Sequence, residues 1–217
     1  MVLSFFRGGD DALENVDHEV TKMLGDCRHS LDLALSALYS DGDITQIGEE
    51  VRATDLRING SEESVRRDLL VHTTVHGGTE VAMVLNSLLV VKKLERVGDQ
   101  AKNVFDLADE GVRFTGDPDG EELAALGIEA SGRLGEAATI LAAEDEAGAE
   151  AFMTACVERM DDLDRRVNKL IHSDEPARHA VPRAMYYRYI KRIIANTEGA
   201  VSTLVRPLSR AEADVDE

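Results

Sequence analysis

The chain has 217 residues, with 24 basic side chains against 42 acidic ones and a formal net charge of −18. A surface that acidic repels phosphate backbones and anionic lipid, so neither nucleic-acid binding nor direct membrane attachment is expected, and cations are favoured. Four Tyr, five Phe, no Trp and only four Pro, all from Pro118 onward, argue against a strand-rich sandwich or barrel. Only six of the basic residues are lysine, and this acidic, lysine-poor balance suits a salt-rich cytoplasm in which screening weakens self-repulsion. At roughly 150 residues per domain the length fits one large domain or two small ones.

The opening Met1-Val2-Leu3-Ser4-Phe5-Phe6-Arg7 is too short an apolar run for a secretory signal. The longest apolar stretch, Val81 to Val91, is broken by Asn86 and Ser87 and falls short of a membrane span. A cytoplasmic protein is expected. Helical periodicity then starts at once: Val20, Met23, Cys27, Leu31, Ala34 and Leu38 step by three or four and stop at Asp41-Gly42-Asp43. Ile44, Ile47, Val51, Thr54, Ile58, Val65 and Leu69 carry a second helix, which ends at His76-Gly77-Gly78. A third begins near Thr79, carries Leu85, Leu88, Val91, Leu94, Val97, Ala101, Val104 and Ala108, and ends near Thr115. Gly116-Asp117-Pro118-Asp119-Gly120 breaks the chain, and Asp119 with Glu122 three residues on has the form of a capping box. Three further helices follow, over 121–144, 147–173 and 181–208, the last after Pro176 and Pro182.

The second set echoes the first. Leu31, Ala34 and Leu38 match Leu134, Ala137 and Leu141, while Ile58, Val65 and Leu69 match Met160, Val167 and Ile171. Leu94, Arg96 and Val97 match Ile190, Arg192 and Ile193. The expected fold is all-α, with two tandem three-helix bundles over 1–115 and 121–210 and an acidic tail over 211–217. Cys27 and Cys156 fall on apolar faces with no CxxC spacing, as small core residues of a reducing compartment do.

Chemistry is confined to carboxylates at helical spacing. Glu95 and Asp99 are four apart on the third helix, and Asp55, Asn59 and Glu62 form an oxygen stripe on the second. Two such stripes on antiparallel neighbours could converge on a cation that prefers hard oxygen ligands. A solvated face is the plainer reading, since acidic pairs recur by chance in so acidic a chain and Glu95 and Asp99 point away from their own apolar seam. Gly98, between them, costs about 1 kcal/mol in a helix relative to alanine and marks a close approach. His72 and His76 sit at a helix end and suit a cap or solvated role, and Tyr186-Tyr187-Arg188-Tyr189 suits a packing cluster.

The run Leu94-Glu95-Arg96-Val97-Gly98-Asp99-Gln100-Ala101-Lys102-Asn103 resembles the signature of the PhoU family of phosphate-uptake regulators, and Asp55-Leu56-Arg57-Ile58-Asn59 is similar to that family's second-helix segment. The likeness runs from about Leu13 to Leu208. It implies a cytoplasmic, dimeric, non-enzymatic adaptor that acts between a phosphate transporter component and a sensor kinase and negatively regulates phosphate transport. It touches membrane only through that partner. The resemblance also implies surface metal sites, which on this chain fall on Asp55, Glu62, Glu95 and Asp99, with Asn59 as a weaker ligand, for Fe, Zn, Mn or Mg. In the second repeat the signature becomes Ile190-Lys191-Arg192-Ile193-Ile194-Ala195, with Val157 in the place of Asp55. Lys191 is expected to neutralise the second carboxylate group of Glu158, Asp161 and Asp164, leaving metal to the first bundle only. The family's D-L-R at the start of the third helix is replaced by Glu80-Val81-Ala82, which removes an arginine from that surface. A carboxylate-bridged di-metal enzyme is disfavoured by the lack of any Glu-x-x-His. A metal-free helical scaffold, or a regulator of a different ion transporter, is the alternative.

Overall fold

A computed structural model of the chain describes residues 11–39, 42–76 and 80–206, and its described residues form six helices and no strand. They are α1 (Asp11–Tyr39), α2 (Ile44–His76), α3 (Val81–Asp109), α4 (Gly120–Ala143), α5 (Glu146–Ile171) and α6 (Ala177–Val205). The expected tail over 211–217 and the Gly77-Gly78-Thr79 turn lie outside the described residues. No helix among the described residues is long and apolar enough to cross a membrane.

Local chemistry explains most of the boundaries. Asp43 Oδ1 accepts the backbone N–H groups of Thr45 and Gln46 and so caps α2, while Asp145 does the same for α5 through Gly148 N–H at 2.9 Å. The third helix stops earlier than the periodicity indicates, because Gly111 turns the backbone to φ 87°. The sixth starts earlier: Pro176 caps it and Pro182 lies inside its second turn, where only one helical hydrogen bond is lost. The capping box expected from Asp119 and Glu122 does not form. Asp119 is the residue before α4 but makes no side-chain cap. Its carboxylate pairs instead with the Arg183 guanidinium, and Glu122 pairs with Arg166.

Arg183 is 6% exposed and holds Asp119, Glu175 and the carbonyl of His179, so it ties two interhelical loops to α6. Removing both carboxylates (D119N/E175Q) strands a buried guanidinium and is expected to cost about 3–5 kcal/mol. Removing the cation with its shape kept (R183M) should cost less, because the two carboxylates are 45% and 40% exposed and rehydrate. Urea denaturation of the two variants checks the order; R183M as the worse of the two would mean that packing, not charge, holds this corner.

The two repeats do not build two separate cores. Buried apolar side chains of all six helices form one continuous cluster. Its centre is a square of α1, α3, α6 and α4: α1 packs on α3, α3 on α6, α6 on α4 and α4 on α1. α2 lies outside against α1 and α3, and α5 lies outside against α6 with only slight contact to α4. The difference shows in burial: 14 residues of α3 and 12 of α6 are buried, against five of α5. Between α4 and α5 charge substitutes for packing. Glu129 of α4 accepts from Arg159 of α5 at 2.7 Å and Glu122 pairs with Arg166, while Arg133 supports Glu129 within α4 and Asp162 holds Arg159, Arg165 and Arg166 within α5. The hydrogen bond from Arg166 is the main reason the Asp162 carboxyl sits below its ordinary range; at Glu129 burial pushes upward, and the two arginines outweigh it. Cys27 and Cys156 are buried free thiols, as expected, and burial raises Cys156 to about 11.

The tyrosine cluster is packing. Tyr186 is fully buried, donates to the carbonyl of Leu123 at 2.9 Å and meets Phe114 edge-on at 5.2 Å. His72, read as a cap or solvated residue, is buried instead, and its Nε2 lies 2.5 Å from Glu80 Oε2, pinning the start of α3 to the end of α2. The side chain of His76 lies outside the described residues.

Candidate functional site

The expected carboxylates lie along the seam where α2 and α3 run antiparallel. Gly98 makes the seam close: a Cβ there would stand 2.8 Å from Ile58 Cδ1, so glycine lets the Ile58 side chain bury against the α3 backbone. This is the close approach that its mid-helix position indicated. One end of the seam is closed by a cation. Lys102 Nζ donates to Asp55 Oδ2 at 3.0 Å and lies 3.7 Å from Asp99 Oδ1. Burial works against the Lys102 charge, but the Asp55 hydrogen bond and the charges of Asp55, Asp99 and Asp106 outweigh it and hold the ammonium above its ordinary range.

The Asp55–Lys102 and Ile58–Gly98 contacts fix a register in which Glu62 stands level with Glu95. Glu62 is 8% exposed and has one long contact, 3.5 Å, to Arg66. Glu95 is not the solvated residue its helical position suggests. Its side chain is 17% exposed, Oε1 is held by Lys92 at 2.9 Å, and Oε2 is buried with no hydrogen-bond partner. Asn59 is half-buried on the same stripe, between Asp55 and Glu62. The structure therefore joins Asp55 with Asp99 through Lys102, and sets Glu62 level with Glu95 one to two turns along. Among the described residues no three His, Cys, Asp or Glu side chains close on a common metal-sized point. Set against the family's metal, the residues fit in part: Glu95 offers a buried oxygen that lacks a partner, whereas Asp55 already has a cation.

The seam between α5 and α6 is the second copy, with its charges rearranged. Lys191 Nζ is paired with Asp164, at the positions matching Glu95 and Glu62, so this lysine neutralises an acidic residue of the second seam as its sequence indicates. Val157 and Ala195 stand where Asp55 and Asp99 would be, and Glu198 where Lys102 would be. A groove of about 510 Å³ opens there, with Met153, Val157, Glu158, Glu198 and Val205 in its lining, and burial raises the Glu198 carboxyl. Lys102 and Glu198 are the residues that sequence reasoning passed over; the signal for Lys102 was its place three residues beyond Asp99.

Two comparisons with known proteins found a likeness. A family model described as the PhoU domain matches residues 20–108, the first repeat from within α1 to the end of α3. The crystal structure of PhoU from Pseudomonas aeruginosa superposes with a TM-score of 0.75 at 20% identity, covering 90% of this chain and 97% of that one, which shows a shared fold. No curated protein matches the chain. The Glu95–Asn103 run that carries the sequence resemblance lies inside the region, residues 20–108, that is similar to the PhoU domain.

Proposed function

We propose that the chain is a non-enzymatic adaptor of the PhoU type that negatively regulates phosphate transport by docking on a transporter component or a sensor kinase. It works in the cytoplasm as a homodimer and meets the membrane only through that partner. The observation that carries the reading is the PhoU-domain match across α1 to α3, supported by the full-length fold likeness. Within it, the α2/α3 seam of Asp55, Asn59, Glu62, Glu95 and Asp99 is a site of the first bundle for a divalent or trivalent metal ion, Fe, Zn, Mn or Mg. The partnerless Glu95 Oε2 supports this, since a bound cation would satisfy a buried acceptor that nothing else satisfies. When bound, the ion supplies local positive charge on an acidic surface; the chain's own side chains orient and shield it.

A second reading has its own support. Each of the four seam carboxylates has an ammonium or guanidinium group within 4 Å, as a metal-free scaffold or a regulator of another ion transporter would have. Uptake separates the two. Cells that lack the chain are expected to import labelled phosphate faster than the parent in phosphate-replete medium, with the wild-type chain restoring the slower rate. Unchanged phosphate uptake together with altered flux of another ion would select the alternative.

A further inference from the structure

We propose that the outer face shared by α3 and α6 docks an acidic segment of a partner protein, which sets carboxylates against Lys93, Arg96, Arg188 and Arg192. The inference rests on the adaptor reading above and deepens it by naming the face and the chemistry of its partner. α3 and α6 are antiparallel: Lys93, early in α3, lies across Gly199, late in α6, while Phe114, just beyond α3, meets Tyr186, early in α6. A Cβ at Gly199 would stand 2.9 Å from Lys93 Nζ, so the lysine runs over the α6 backbone. The two helices carry one pattern, Leu85-Leu89-Lys92-Arg96 and Val181-Met185-Arg188-Arg192, with steps of four, three and four residues. Those steps keep each set on one helix face. Because the helices run opposite ways, the basic residues of both meet at mid-face and the apolar pairs lie at its two ends. Those ends are open: Leu85 and Leu89 are 45% and 42% exposed, Val181 and Met185 51% and 39%.

In a chain of net charge −18 a surface cation should find a carboxylate, and Lys92, Lys102 and Lys191 nearby do. Lys93, Arg96, Arg188 and Arg192 make no salt bridge among the described residues. The acids beside them are turned to the seams: Asp99 faces Lys102 at 3.7 Å, and Glu198 lines the groove against α5. The four unpaired cations are strung over roughly 16 Å of helix, too far for one small anion to span. The apolar ends offer nothing to a polyphosphate or nucleic-acid strand, whereas a protein segment can bury them. A second copy of this face would set like charges against one another, and an anionic bilayer would meet the rest of an acidic molecule.

The probe is a fluorescent synthetic helix of about 24 residues, with glutamates in its middle turns and leucines at both ends, long enough to cover the roughly 27 Å from Leu89 to Met185. Anisotropy titration with the full-length protein should show saturable binding that weakens as salt rises. R96E/R192E should weaken it about tenfold or more, and R96Q/R192Q, a second variant should the first fold poorly, by less. R52E/R67E makes the same change of charge at exposed arginines of α2 and should leave binding unchanged. No binding, or an equal loss in both glutamate variants, overturns the proposal. A peptide with serine in place of its leucines should bind more weakly; equal binding would mean that charge alone is read and overturns the assignment to a protein segment. Phosphatidylserine vesicles bound in place of the peptide would assign the face to a membrane and overturn it too. The uptake assay keeps the two readings apart. Peptide binding by a chain that does not affect phosphate uptake sinks the adaptor reading alone, whereas R96E/R192E slowing uptake as well as wild type sinks this docking face alone.

Discussion

Residues 1–115 expressed alone are expected to lose cooperative folding, or to associate, although they contain a complete three-helix repeat. The full chain should melt in a single transition. The reason lies in the square of α1, α3, α6 and α4. α3 buries 14 of its 29 residues, from Met83 and Val90 through Val97 to Phe105 and Ala108, more than one face against α1 and α2 can use. Cutting at 116–120 bares the side of α3 that meets α6 and the side of α1 that meets α4, where Leu35 reaches over Gly127. Re-exposing each large apolar side chain costs about 1.5–3 kcal/mol. A handful of them equals the whole net stability of a domain, about 5–15 kcal/mol. Differential scanning calorimetry on the half and on the whole chain decides it: a monomeric half with its own sharp transition would show that the repeats are independent domains. Metal work on this protein therefore belongs on the full chain.

Replacing Tyr186 by alanine is expected to cost about 3–5 kcal/mol, the range for deleting a large buried aromatic side chain. With about 2–4 °C per kcal/mol for a chain of this size, the midpoint should fall by roughly 10 °C. Tyr186 is fully buried, meets Phe114 of the interbundle loop edge-on, and sits under Gly127, where a Cβ would come 2.6 Å from its hydroxyl oxygen. It therefore joins α6, α4 and the connection between repeats at one point, and little nearby can collapse into the space it leaves. Tyr186→Phe removes only the hydrogen bond to Leu123 and should cost about 1 kcal/mol. Thermal melts of both variants provide the check. Equal losses would mean that the hydroxyl, not the ring, holds the joint.

The six helices were legible because each carries a long apolar stripe at three-and-four spacing, a signal that survives errors at the ends. Boundaries slipped where one residue decides them. The two prolines put the start of the last helix near residue 181, yet a proline in the second turn forfeits one hydrogen bond and the helix begins at Ala177. Asp119 has the form of a cap, but a buried guanidinium is a stronger partner for its carboxylate than a backbone N–H. The shared centre was hidden for a different reason. Periodicity reports that a face is apolar, not which of several neighbours covers it, so the wide burial of α3 looked like an ordinary bundle stripe. The seam was half legible. Glu62, Glu95, Asp55 and Asp99 could be named from spacing and resemblance, and the Lys191 substitution could be seen to change the second copy. That Lys102 reaches across to Asp55 depends on helix rotation and register, which Gly98 and Ile58 set only once the helices are docked.

The placement of α2 and α5 outside the square has a consequence for how such a chain can diverge. Duplicating a three-helix unit gives two copies of every surface but here only one shared interior, so changes in α1, α3, α4 and α6 are felt by both halves. The outer helices are freer, and α5, with five buried residues, is the freer of the two. One copy of the seam can therefore exchange its acids for Val157, Ala195 and Lys191 while the other keeps Asp55, Glu62, Glu95 and Asp99, and the interior hardly registers the change. The molecule keeps its repeat symmetry in the shared interior and gives it up along the outer seams.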